Sequence, residues 1–232
     1  MNDSTSLITQ NLQAVANQLV SYEQRYERTP GSVQLLAVSK RKPLAAIEAA
    51  IAGGQRSFGE NYVDEGVEKI TALADSSIEW HFIGAIQSRK CTSIAQHFQW
   101  AHGVDRLKVA TKLSAQRPDS SAALNICLQV NLDDEDAKAG VAIDDVRALA
   151  THCAGLPGIC LRGLMAIPAP RSDLQSQREV FARLQQCLVS LQADFPTMDT
   201  LSMGMSADLE AAVAEGATIV RVGTAIFGAR DS

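Results

Sequence analysis

The chain has 232 residues, of which 46% are hydrophobic and 20% charged, and a formal net charge of −5, the make-up of an ordinary globular protein with a sizeable core. The acidic balance and the lack of a long basic run argue against a nucleic-acid or anionic-membrane partner, and no run of about 18 apolar residues announces a membrane-spanning helix. The cysteines (Cys91, Cys127, Cys153, Cys160, Cys187) show no CxxC pair and the histidines no HExxH pattern, so neither a disulfide framework nor a zinc site is expected; unpaired thiols and a start, Met1 to Thr5, without signal-peptide character fit a reducing cytoplasm.

Leu12, Val15, Leu19, Tyr22 and Tyr26 recur three or four apart and predict a helix over 5–28, ended by Pro30-Gly31. Val33 to Val38 reads as a strand too apolar to have a solvated face, buried on both sides as in a parallel sheet, and it runs out at Ser39-Lys40. Pro43 suits the first turn of a helix over 43–52, closed by Gly53-Gly54. A short strand and turn follow at 56–61, then a helix over 62–74, a strand from Ile78 to Ile83, and a helix over 87–97. Trp100 to Val104 is a strand, and Arg106 to Arg117 a helix stopped by Pro118. Leu124 to Asn131 is a strand, and the acidic loop Asp133-Asp134-Glu135-Asp136 leads to a helix over 143–153. Leu161 to Ala166 is a strand, and the rigid Pro168-Ala169-Pro170 turn precedes a long helix over 172–193. The strand Thr200 to Met203, the helix Asp208 to Ala214 and the strand Ala217 to Val222 complete the pattern. Eight strands alternating with helices predict a closed (β/α)₈ barrel of TIM type with an extra N-terminal helix, a single domain over 1–232. A doubly wound open sheet is the alternative.

In a barrel the carboxyl ends of the strands line one mouth. Those ends are Lys40, Asn61, His81 with Gly84, Asp105, Asn131, Met165, Ser202 to Ser206, and Arg221 to Thr224. Gly204-Met205-Ser206 feeds a helix start, with Ser206 a good N-cap, which makes a natural phosphate cradle. Gly223 lets an anion approach the backbone and Thr224 adds a hydroxyl, and both loops fall at strands seven and eight, where barrels commonly bind phosphate. Arg221 follows Thr218-Ile219-Val220 into the barrel interior, where a cation needs an acceptor: a carboxylate, a ligand nitrogen or a phosphate. A phosphate cradle, an arginine and an amine nucleophile suit pyridoxal 5′-phosphate (PLP), whose aldehyde forms a Schiff base with lysine. A phosphorylated sugar held by a Schiff-base lysine would need similar parts.

Six ordered motifs carry a resemblance over essentially the whole chain: Leu35-Leu36-Ala37-Val38-Ser39-Lys40, Phe58-Gly59-Glu60-Asn61-Tyr62-Val63, Trp80-His81-Phe82-Ile83-Gly84, Arg162-Gly163-Leu164-Met165-Ala166-Ile167-Pro168, Ser202-Met203-Gly204-Met205-Ser206, and Val220-Arg221-Val222-Gly223-Thr224-Ala225-Ile226-Phe227-Gly228. The chain resembles the pyridoxal phosphate homeostasis proteins, PLP-binding proteins with the fold of the alanine racemase N-terminal domain. The resemblance implies a modified TIM barrel with PLP on Lys40, the phosphate taken by Ser206, Gly223 and Thr224, and Arg221 facing the pyridine nitrogen. Asn61 and His81 match residues lining the cofactor pocket, and Met165, at its strand end, is a further candidate contact. Arg41, Ala85, Arg89 and Ala207 depart from the family pattern at the rim, away from the expected anchors.

Two functions compete: a PLP enzyme such as an amino-acid racemase, and a non-catalytic carrier that holds PLP and passes it to apo-enzymes. Racemisation needs a base on each face of the cofactor, and in the racemases the second base is a tyrosine from a second, β-rich domain. This chain ends shortly after its eighth strand. Tyr22 and Tyr26 repeat with the apolar face of the first helix, which leaves Tyr62 as the candidate near the mouth. Arg221 at the ring nitrogen would also keep that nitrogen unprotonated and weaken the ring as an electron sink. The expectation is a carrier rather than an enzyme, monomeric because the racemases' second domain supplies a major dimer surface.

Overall fold

In this computed structural model, which describes residues 3–133 and 139–228, the first strand, β1 (Gln34–Val38), carries Leu36 and Ala37, both at 0% exposure and on opposite faces. A strand without a wet face must be covered on both sides, and here one side meets helices while the other faces a barrel interior. β1 pairs in parallel with β2 (Ser57–Glu60), which is followed by β3 (Glu79–Phe82), β4 (Trp100–Val104) and β5 (Leu124–Asn131). A two-residue strand, β6 (Val141–Ala142), adds to β5 outside the ring. The ring continues through β7 (Ile159–Met165), β8 (Thr200–Ser202) and β9 (Ile219–Val222), which pairs back onto β1. The β4–β5 pairing closes the circle and excludes the open, doubly wound alternative.

Helices α1 (Asp3–Arg25), α2 (Leu44–Ala52), α3 (Val63–Leu73), α4 (Cys91–His97), α5 (Leu107–Gln116), α6 (Val146–Ala154), α7 (Leu174–Gln192), α8 (Leu209–Ala214) and α9 (Thr224–Phe227) surround it. The predicted stripe of α1 is buried through Leu12, Val15 and Leu19, against α2, α8 and α9. Behind α1, buried Glu23 accepts the Gly31 and Val33 amides, each at 2.9 Å, which fixes the entry into β1. The α1 helix stops at Arg25, before the predicted 28, because Glu27 takes a left-handed turn at φ 54°.

The core has two layers. Phe58, Trp80, Phe82 and Phe98 belong to the larger one, between strands and helices. Leu36, Ile83, Trp100, Cys127, Met165 and Ile219 pack in a small cluster inside the ring. The ring also buries His81, His102, Ser202 and Arg221. At the top, Gly84 is held against β2: a Cβ there would lie 2.3 Å from the Asn61 carbonyl oxygen. The acidic loop is described only at Asp133, which accepts the Ala169 amide and Arg171; Asp134, Glu135, Asp136 and Lys138 lie outside the described residues.

Candidate functional site

Lys40 follows β1 in a turn closed by the Lys42 amide on the Ser39 carbonyl at 3.1 Å, with Arg41 left-handed at φ 58°. Both neighbours of Lys40 are tied down. Buried Ser39 donates its hydroxyl to Glu60 Oε1 (2.6 Å) and its amide to the Gly59 carbonyl (3.0 Å). Lys69 Nζ donates to the Ser39 carbonyl (2.8 Å), to Glu60 Oε1 (2.8 Å) and to Glu65 Oε1 (2.6 Å), and the Arg41 amide donates to Glu65 Oε1 at 2.5 Å. Glu60 and Lys69 are a buried ion pair, with side chains 0% and 7% exposed; burial pushes the Glu60 carboxyl up and the Lys69 ammonium opposes it. The half-buried Lys40 amine, by contrast, has no partner among the described residues.

That amine opens on a cavity of about 340 Å³ at the carboxyl ends of the strands. Six predicted residues line it together: Lys40, Asn61, Ser206, Arg221, Gly223 and Thr224. Val38, Ile83, Ile167, Met205 and Ala207 add an apolar wall. Asn61 Oδ1 is buried there without a partner. The Arg221 guanidinium is buried and donates only to neutral oxygens: Nη1 to the Ser202 carbonyl (2.6 Å) and Oγ (2.7 Å), Nη2 to the Ala166 carbonyl (2.8 Å). Burial pushes it down to about 10, still a cation at neutral pH. Gly223 precedes α9 so closely under β1 that a Cβ would lie 3.2 Å from the Val38 carbonyl. The first amides of α9 have no intrahelical acceptor and begin at Thr224, on the cavity wall.

Three expectations are corrected. Ser206 is not a helix cap: Asp208 stands at the N-cap position of α8 and accepts the Met205 amide at 2.5 Å, which leaves Ser206 exposed in the preceding turn. His81 does not reach the cavity. Strand alternation points it into the ring, where it is fully buried, stacked on Trp100 at 5.4 Å and bonded through Nδ1 to His102 Nε2 (3.0 Å) and through Nε2 to Glu79 Oε2 (3.0 Å). Met165, the last residue of β7, lies in the inner apolar cluster and not on the cavity wall. Tyr62 is absent from the wall as well; it is exposed, lines a neighbouring cleft, and accepts Arg41 Nη2 at 3.1 Å. The Glu60–Lys69 clamp was not foreseen. Its one sequence signal is the Glu65–Lys69 spacing on α3, which alone reads as a surface pair.

Residues 10–231 match the alanine racemase N-terminal domain family. Over 226 residues the chain is 53% identical to the pyridoxal phosphate homeostasis protein of Pseudomonas aeruginosa, covering 97% of each. The chain belongs to the pyridoxal phosphate homeostasis protein family. PipY of Synechococcus elongatus, solved with PLP bound, superposes at a TM-score of 0.84 with 38% identity, over 95% of this chain and 100% of PipY. Alanine racemase from Corynebacterium glutamicum shares the fold, at a TM-score of 0.70 and 15% identity, and this chain spans 62% of it.

Two stability measurements check this site. Lys69→Met leaves the Glu60 carboxylate buried without its counter-ion, and is expected to cost about 3–5 kcal/mol in urea unfolding; a loss below about 1 kcal/mol would show the clamp to be incidental. The second concerns His81 and His102, both lowered from 6.5, foremost by burial. The charged groups facing them are Glu79 and Arg221, with the Arg162–Asp199 pair beyond Trp100, while burial pushes the Cys127 thiol up to about 12 and keeps it neutral. Below pH 6.5 the unfolded chain binds more protons at these histidines than the folded chain does, so stability rises with pH through this range, by at most about 1.4 kcal/mol per pH unit for each. The hydrogen bond from His81, with others from Trp100 and Gln34, holds the Glu79 carboxyl at about 2, and extends the acid loss below 4.5. Unfolding free energies equal at pH 7 and pH 5.5 would contradict this.

Proposed function

We propose that the chain, 1–232, is a single domain that binds PLP reversibly in PLP homeostasis, holding it on Lys40 and releasing it to apo-enzymes without robust catalysis of its own. The observation that carries the reading is the pairing in one cavity of an unpartnered amine with a buried guanidinium bonded only to neutral oxygens. PLP supplies an aldehyde that bonds a primary amine, and an anionic phosphate. The residues fit that group. Lys40 presents its amine from a turn fixed on both sides. The Thr224 end of α9, with Gly223 and the exposed hydroxyl of Ser206, offers donors to the phosphate. Arg221 presents a donor to the ring nitrogen, and Asn61 Oδ1 is an acceptor awaiting a partner. His81 and Met165 do not line this cavity.

The carrier reading draws support from what the wall holds. Lys40 and Arg221 are its titratable side chains among the described residues. A guanidinium is no base at neutral pH, so Lys40 has no second base to complement it across the cavity. No helix among the described residues is long and apolar enough to cross a membrane, and we place the protein as a monomer in the cytoplasm.

Borohydride reduction of the PLP-loaded protein is expected to fix the cofactor on Lys40, read by peptide mass, and Lys40→Ala is expected to abolish that tag. Covalent PLP at one site in the Lys40→Ala protein would sink the assignment. Amino acids incubated with the loaded protein in deuterium oxide are expected to keep their α-hydrogens; exchange at an enzyme-like rate would replace the carrier with the racemase alternative.

A further inference from the structure

A chain of hydrogen bonds crosses the barrel interior beneath the cavity. Arg221 Nη1 reaches Ser202 Oγ at 2.7 Å, Ser202 Oγ reaches His102 Nδ1 at 2.8 Å, His102 Nε2 reaches His81 Nδ1 at 3.0 Å, and His81 Nε2 reaches Glu79 Oε2 at 3.0 Å. Its two ends are chemically one-way. A guanidinium only donates and an ionised carboxylate only accepts. Trp100 Nε1, itself donor-only, bonds the other Glu79 oxygen at 2.9 Å and holds that carboxylate as an acceptor.

The ends determine every proton between them. Glu79 must receive the His81 Nε2 hydrogen, so a neutral His81 accepts at Nδ1. His102 then donates from Nε2 and accepts at Nδ1, and the Ser202 hydroxyl must point at His102. The Ser202 hydroxyl oxygen thereby keeps a lone pair for Arg221 Nη1, which also donates to the Ser202 carbonyl that the strand backbone fixes beside it. Nη2 is taken once by Ala166, and no protein acceptor is found for Nε among the described residues. The guanidinium is pinned on the barrel side with donors left over on the cavity side. A proton added to either ring would set donor against donor in this series.

We propose that Glu79, His81, His102 and Ser202 are positioning residues that act through Arg221: a one-way hydrogen-bond chain, anchored at the amino-terminal end of the barrel, that aims the guanidinium at the ring-nitrogen end of the cavity. The aim toward a ring nitrogen rests on the PLP reading above; the proton order in the chain does not. Glu79 lines a separate cleft with Asp75 to Ile78 and Gln99, on the side where β3 begins. Glu79 does not line the cavity itself.

The first test needs no cofactor. Nitrogen-15 NMR of the full-length protein labelled at histidine is expected to show both His81 and His102 as neutral Nε2–H tautomers at pH 7, assigned with single-site variants. An Nδ1–H tautomer, or a charged ring, at either position overturns the chain. The second test loads Ser202→Ala, His102→Phe and Glu79→Gln with PLP. Each is expected to speed PLP release on dilution, by about tenfold for Ser202→Ala, the weight of one hydrogen bond to a charged group, and to move the visible absorption band, while borohydride still tags Lys40. Ser202→Thr, which keeps the hydroxyl, is expected to restore both. If His102→Phe fails to fold, Ser202→Ala and the tautomers decide. A native chain that binds no PLP overturns the PLP reading. A native chain that binds PLP, beside variants with its release rate and its band, overturns the positioning chain alone.

Discussion

The structure depends on one costly placement: a guanidinium inside a β-barrel with no carboxylate bonded to it. Burying a cation without an opposing charge is unfavourable unless hydrogen bonds replace its water. Here three bonds to Ser202 and Ala166 do part of that work. They demand that β8 and β9 be adjacent and that the end of β7 lie within reach, which the parallel ring provides. The remaining donor capacity faces the cavity. A cation bonded only to neutral oxygens, with the Asp208 carboxylate acting on it but not bonded to it, favours an anionic or acceptor-bearing ligand on the cavity wall, so the ring closure and the ligand preference share a cause.

A second placement complements the first. The Glu60–Lys69 pair spends its hydrogen bonds on the backbone and hydroxyl beside Lys40, not on Lys40 itself. A buried ion pair is weak support for global stability, because its attraction is set against desolvation of both charges. Its clearer effect is local. The turn holding Lys40 is bound at Ser39 and at Arg41, while the amine between them stays free to react. The exposed rim, with Arg41 and Tyr62 stacked at 5.3 Å, lies to one side of the cavity.

The family relation and the cavity carry different weights. Identity of 53% over nearly the whole length establishes kinship with the homeostasis proteins, whereas the likeness to alanine racemase establishes only the shared barrel. A barrel hosts many chemistries. The site has to be argued from its wall, which Lys40 and Arg221 share.

The alternation of apolar runs with helical periodicity was enough to announce a (β/α)₈ ring, because a strand like Leu35 to Val38 has nowhere to sit except between two covered faces. The strand-end rule located Lys40, Arg221, Gly223 and Thr224 for the same reason: in parallel barrels loop chemistry gathers at the carboxyl ends. It misplaced His81 and Met165, since a strand end says which rim a residue is near but not which way its side chain points. Ser206 reached the wall by a turn rather than a cap, as Asp208 competed for the same helix start. The two-residue β6 and the one-turn α9 are too short to show a period. What only tertiary structure decided was partnership across distance. Glu60 with Lys69, and Glu79 through His81, His102 and Ser202 to Arg221, join residues up to 100 positions apart. Local pattern records burial and period; it does not record which buried polar groups satisfy one another.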